Sequence, residues 1–125
     1  MQTSRTKLSR NLKRELEERL YRVVADIKSP EEAEVFLKDF LSKTELEIVC
    51  KRLAVAYYLD KKRSYQNIKD HLAVSSATVS VVASFLKSKK GYEVALQKIR
   101  ADEWAEKWAQ KISGLGKMMP FFSRR

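Results

Sequence analysis

Apolar residues recur at intervals of three and four along most of this chain, the period of an amphipathic helix. Leu8, Leu12, Leu16, Leu20, Val23, Val24 and Ile27 draw one apolar stripe along a first helix over about residues 8–28. Ser29-Pro30-Glu31-Glu32 then supplies an N-cap serine, a proline at the first helical position and a glutamate at the third. Proline costs nothing there, because its missing N–H would have no helical partner anyway. The second helix carries Val35, Phe36, Leu37 and Phe40. Ser42-Lys43-Thr44-Glu45 repeats the capping signal and opens a third helix through Ile48, Val49, Leu53, Val55, Ala56 and Leu59. The long first stripe needs a cover. Two readings fit it: a partner subunit, or an intramolecular bundle.

The middle of the chain is more specific. Asp60-Lys61-Lys62-Arg63 is a polar connector, Ser64 caps a short helix over Tyr65–Leu72, and Ala73-Val74 makes a brief turn. Ser75 caps a longer helix from Ser76 to about Lys87. Two helices so closely joined match a helix-turn-helix. Ile68, Leu72, Val74, Val79, Val82 and Leu86 are placed to lock the pair together. Ser76, Ala77, Ser80 and Ser84 are left on the outer face of the second helix, with Val81 at its edge. Side chains that small let a helix backbone approach a major groove closely.

Charge sharpens this picture. The chain has 125 residues, with 26 Lys plus Arg against 16 Asp plus Glu. Residues 61–90 hold seven basic side chains and one acid, whereas residues 23–60 hold five and eight. So polarised a distribution suits a polyanion partner, although a solvated surface would also be charged. The flanks favour the polyanion. Lys61, Lys62 and Arg63 precede the helix pair, Lys69 lies within it, and Lys87, Lys89 and Lys90 follow it, where phosphates bordering a groove would lie.

Composition narrows the alternatives. Three glycines and two prolines leave too few tight turns for a β sandwich or barrel. The single cysteine excludes an internal disulfide or a cysteine-based zinc cluster. The longest apolar run, Leu53–Leu59, is far short of the ~20 residues of a membrane helix, and no secretory leader is visible. A reduced, cytoplasmic, all-α protein is expected, with no metal, no cofactor and no membrane partner. No phosphate-loop, dinucleotide, zinc-protease or nucleophile-elbow motif occurs, and His71 stands without a nucleophile, so no enzyme is expected. Cys50 reads as a buried structural thiol, and His71 as a surface or phosphate contact.

At these residues the chain resembles the Trp repressor superfamily. Ser64 through Lys87 is similar to its helix-turn-helix, most closely at Leu72, Ala77, Thr78, Val79, Leu86 and Lys87. Leu41-Ser42-Lys43-Thr44-Glu45 through Arg52-Leu53 is similar to the family's central helix, and the resemblance spans roughly residues 30–100. It implies an all-α, intertwined homodimer that places two helix-turn-helix units on a pseudo-palindromic double-stranded DNA operator and represses by occupying it. In the founding member L-tryptophan is corepressor, held partly by two arginines. Arg52 matches the first arginine, but the second falls on Val81, and the small residue beneath the indole falls on Val82. A missing guanidinium and a branched side chain in the ring's place argue against tryptophan as effector. Arg52, Val81 and Val82 therefore mark an effector-pocket position without a full tryptophan site. Ala73 and Ser75 stand where the family often has glycine. The base-reading set, Ser75, Ser76, Ala77, Ser80 and Ser84, contains no Arg, Asn or Gln, so specificity would rest on hydroxyls, thymine methyls, water or DNA shape.

The expected organisation is a DNA-binding domain over residues 1–100 and a C-terminal extension over 101–125. Gly91 is expected to end the reading helix, Tyr92, Val94, Ala95, Leu96 and Ile99 to form another short helix, and Asp102 to open a further one. That last helix would carry Trp104, Ala105, Trp108, Ala109 and Ile112 on one face. The tryptophan stripe reads as core or subunit contact or, if exposed, as a partner-binding or membrane-surface stripe. The tail Lys117–Arg125 reads as a segment that docks on its own dimer, binds another protein as a linear motif, or is disordered. A helical protein-interaction module, or a non-specific nucleic-acid binder, is the rival to the regulator.

Overall fold

The computed structural model describes residues 8–113, which form six α-helices and no strand. These are α1 (Arg10–Ala25), α2 (Pro30–Phe40), α3 (Lys43–Asp60), α4 (Tyr65–Leu72), α5 (Ser76–Ser88) and α6 (Lys90–Ser113). Serines start five of them. The Oγ atoms of Ser9, Ser29, Ser42, Ser64 and Ser75 each accept the backbone N–H three residues on, at 3.1 Å. Glu45 closes the α3 box by accepting the Ser42 N–H at 2.7 Å, and that bond holds its carboxyl below the ordinary value. Each such cap is worth about 1 kcal/mol, because it satisfies an amide that helix geometry leaves without a partner. No described helix is long and apolar enough to cross a membrane.

The chain divides into two compact units, one up to Leu46 and one from Glu47. In the first unit neither α1 nor α2 has a buried residue. Phe36 and Phe40 stack with ring centroids 4.6 Å apart. Leu12, Leu16, Leu20 and Val23 are 43%, 47%, 46% and 48% exposed, so the stripe that the spacing predicts is present and uncovered.

The second unit holds the core. Val55 and Ala56 of α3, Ile68 of α4, Val79 and Val82 of α5 and Leu96 of α6 are buried together. Tyr57, Tyr58, Leu72, Val74, Leu86 and Tyr92 pack around them. Burying an aliphatic side chain of this size stabilises by about 1.5–3 kcal/mol. Of the six residues expected to lock α4 against α5, Ile68, Val79 and Val82 are in this cluster and Leu72, Val74 and Leu86 pack against it. The first half of α3 behaves differently, with Ile48, Val49 and Leu53 exposed.

Two expectations do not hold. Cys50 is exposed, because it lies on the part of α3 whose apolar neighbours are themselves uncovered. The segment from Lys90 to Ser113 is one helix, not two. The break after α5 comes at Lys89, whose extended φ of −116° and ψ of 110° end that helix. Gly91 sits in the first turn of α6, where an added Cβ would meet nothing within 4 Å, and Asp102 lies inside the helix. The expected boundary between residues 100 and 101 falls within α6. The Trp108 side chain and the tail from Lys117 lie outside the described residues.

Candidate nucleic-acid interface

Two left-handed residues shape the helix-turn-helix. At the end of α3 the Arg63 N–H reaches the Tyr58 carbonyl at 3.1 Å, and the Lys62 N–H reaches that of Leu59 at 3.0 Å. This is a Schellman cap, with Lys62 in the left-handed position at φ 65°. Glycine is the residue that ordinarily fills it, because a Cβ there crowds the backbone. At the end of α4, Ala73 is left-handed at φ 53° and its N–H bonds the Lys69 carbonyl at 3.0 Å, the single-bond form of the same device. The reversal at Ala73 turns the chain through Val74 into the Ser75 cap, bringing α4 and α5 together over Ile68, Val79 and Val82.

With those apolar positions turned inward, Ser76, Ala77, Ser80 and Ser84 are all exposed along α5, and Val81 is exposed beside them. Ser75 is exposed too, but its oxygen caps the Thr78 N–H and lies 3.1 Å from the Thr78 hydroxyl. The Ser84 hydroxyl donates to the Val81 carbonyl at 3.0 Å, which leaves its lone pairs as the outward-facing function. Thr78, which the spacing of core and outer residues passes over, is half-buried and braces the turn from within α5. Its signal in the sequence is the three-residue interval from the cap serine.

The cations differ in their surroundings. Arg63 lies over the Tyr58 ring at 4.1 Å and its Nη1 donates to Asn67 Oδ1 at 3.2 Å. Lys89 lies over the Phe85 ring at 4.9 Å. Lys62, Lys69, Lys87 and Lys90 form no salt bridge among the described residues, and Lys61 does. His71 is exposed, with Nδ1 3.3 Å from the Asn67 carbonyl and its ring edge-on to Tyr58 at 6.0 Å.

The Lys61 bridge belongs to a brace between α3 and α6. Lys61 Nζ donates to Glu103 Oε1 at 3.0 Å, and the Tyr57 hydroxyl donates to Glu103 Oε2. Three residues earlier in α6, Arg100 grips Asp60 through Nη2 and Nε and reaches Glu93 Oε2 at 3.2 Å. Glu103 is held below the ordinary carboxylate value, first by the Tyr57 bond and then by Lys61, and Lys61 is held above its own by Glu103. Residue spacing could not reveal this, since the partners lie about forty positions apart.

Arg52, Val81 and Val82 do converge. With Ile48, Lys51 and Val74 they line a cavity of about 460 Å³ between α3 and α5, which also reaches the turn. Its walls are mostly aliphatic, with the hydroxyl residues Ser75 and Thr78 among them, and its charged residues, Lys51 and Arg52, are cationic. Val82 is only 1% exposed and belongs to the core as much as to the cavity.

Comparison with known proteins agrees with this architecture. The profile of the Trp repressor protein family matches residues 15–100. The uncharacterized protein YerC of Bacillus subtilis (strain 168) is similar, with 30% identity over 87 residues, covering 69% of this chain and 84% of that protein. The matched span contains the α4–α5 pair, both left-handed caps and the cavity of Arg52, and on that ground the chain belongs to the Trp repressor family.

Proposed function

We propose that the protein is a homodimeric, sequence-selective double-stranded DNA-binding transcriptional regulator that represses by occupying an operator, without tryptophan as corepressor. The observation that carries this reading is the outer face of α5. Ser76, Ala77, Ser80 and Ser84 are exposed together, while Val79 and Val82 of the same helix are fully inside the core. A helix so fixed, with small residues outward, can lie deep in a major groove. Ser75 joins the reading face chiefly through the backbone it caps. Lys61, Lys62, Arg63 and Lys69 on one side, and Lys87, Lys89 and Lys90 on the other, are the phosphate contacts.

The uncovered stripe on α1 supports the dimer. Four aliphatic side chains at 43–48% exposure along one helix face form a surface that water solvates poorly and a second copy would cover. Two-fold symmetry then gives a pseudo-palindromic operator with half-sites about one helical turn apart. Residues 1–100 form the DNA-binding domain and 101–125 the extension. The cavity at Arg52, Val81 and Val82 is where an effector other than tryptophan would act. The working compartment in this reading is the cytoplasm, where such a regulator meets its DNA.

Selection from a randomised duplex pool at physiological salt tests the proposal. A two-fold symmetric motif is the expected product. Retained DNA without an enriched motif would reduce the protein to a non-specific binder. Absence of retained DNA would favour the protein-interaction reading, for which the 65% exposure of Trp104 is the specific support.

A further inference from the structure

Of the three cations in the connector before α4, Lys61 alone is neutralised by an acid among the described residues. Its ammonium lies 3.0 Å from Glu103 Oε1 and 5.4 Å from the centre of the Tyr57 ring. Glu103 is anchored independently of Lys61, because the Tyr57 hydroxyl donates to its other oxygen and the Arg100–Asp60 pair fixes α6 three residues away. Glu103 also lies beyond residue 100, where the family match ends. An acid from the C-terminal part of α6 is thus positioned on a lysine of the predicted phosphate-binding set.

We propose that Glu103 competes with DNA phosphate for Lys61, so that the C-terminal part of α6 lowers the protein's affinity for DNA. The proposal rests on the DNA-binding reading above. The lysine and the carboxylate are both partly exposed, at 43% and 32%, so the pair is weak enough to exchange. While the pair holds, Lys61 contributes almost no net charge to an approaching backbone. To reach a phosphate it must leave Glu103, or bring a like charge within the ~8–10 Å over which salt does not screen it. Glu103 is therefore a positioning residue, acting on DNA through another side chain. Tyr57 is its holder.

The test is a double-mutant cycle on the full chain, with a labelled random-sequence duplex as probe and fluorescence anisotropy as readout over a range of salt. Glu103→Gln keeps an acceptor for the Tyr57 hydroxyl and removes the charge. It is expected to tighten binding about 2- to 5-fold near 0.1 M salt, and to steepen the salt dependence by up to about one counterion. In a Lys61→Gln background the same change is expected to do neither. Thermal melting of all four proteins checks that each is folded. Equal tightening with and without Lys61 would mean a long-range charge effect and overturn the proposal. Weaker binding by folded Glu103→Gln would also overturn it, since Glu103 would then be helping Lys61. Failure of all four proteins to retain the duplex would remove the DNA-binding reading and this proposal together. Wild-type binding with an unresponsive Glu103→Gln would remove only this proposal.

Discussion

Arg100 binds Asp60 with two parallel hydrogen bonds, Nη2 to Oδ1 at 2.6 Å and Nε to Oδ2 at 3.2 Å, and so ties the middle of α6 to the last residue of α3. Asp60 is in an unfavourable place for a carboxylate, at the negative end of a helix dipole with no basic residue in the last turn of α3. Its guanidinium partner offsets that repulsion and ties α6 to α3, while Glu93 of the same helix holds the guanidinium in place. Arg100→Ala therefore leaves an unpaired charge at a helix C-terminus, whereas Asp60→Asn removes both charge and repulsion. Thermal denaturation at neutral pH is expected to show a drop of several degrees for Arg100→Ala and a smaller one for Asp60→Asn. The reverse order would mean that the dipole term is negligible here.

The same brace sets an acid limit. Asp60 is held below its ordinary value, first by the Arg100 bond, and Glu103 below its own, first by Tyr57. The folded state thus binds their protons less readily than the unfolded chain. Their stabilisation is complete above the unfolded carboxylate range of about 4 and is lost as pH falls through the lower folded values. Melting temperature should be flat from neutral pH to about 5 and decline below about 4. In Asp60→Asn the decline should be shallower.

Ala73 offers a test of the turn. Its φ of 53° carries a left-handed penalty that glycine would not, partly cancelled by glycine's greater freedom in the unfolded chain. Ala73→Gly is expected to stabilise the protein by about 0.5–1 kcal/mol in urea denaturation. DNA affinity should stay the same, because the backbone path is already the one glycine would take. Destabilisation would show that the Ala73 methyl group contributes packing that outweighs the strain.

Much of the fold is legible in the sequence, for a local reason. Ser29, Ser42, Ser64 and Ser75 start helices where their own spacing predicts it, since a cap and its amide are three residues apart. The α4–α5 lock is equally readable, because Ile68, Val79 and Val82 follow the helical period within a short span. Local pattern misleads where long-range partners decide. Asp102 reads as a helix start, yet α6 runs through it, at a propensity cost of about 0.7 kcal/mol or less. Arg100 and Glu103 on either side of it are held by Asp60 and Tyr57, far away in the chain. Cys50 departs from expectation for a related reason: α3 carries apolar residues on faces that nothing in its own unit covers.

Lys62 separates stability from binding. It occupies the left-handed position of the α3 cap, where a lysine is strained, and it forms no salt bridge among the described residues. Lys62→Gly is expected to raise stability by about 0.5–1 kcal/mol. The same variant should weaken binding to all duplexes alike and flatten the salt dependence by about 0.9 for each phosphate it no longer neutralises. A change at the Ser80 position should act differently, with Ser80→Ala altering preference at one base position. Equal weakening by both variants on every sequence would count against α5 as the reading helix.

In the proposed reading the cavity at Arg52 does not take tryptophan. A carboxylate entering it would meet Arg52 and Lys51, but Val81 supplies no second guanidinium across the opening. By the family resemblance Val82 falls at the position beneath the indole ring, and at 1% exposure its side chain is held by the core. Removing it is costly: Val82→Gly combines a cavity with a helix-interior glycine and should destabilise by about 3 kcal/mol. Room beneath a bound ring is thus limited by a residue the fold needs. Calorimetric titration with L-tryptophan should therefore give no saturable heat, and millimolar tryptophan should leave DNA affinity unchanged. Saturable binding would show that Val82 yields despite its packing, and would restore tryptophan as a candidate effector.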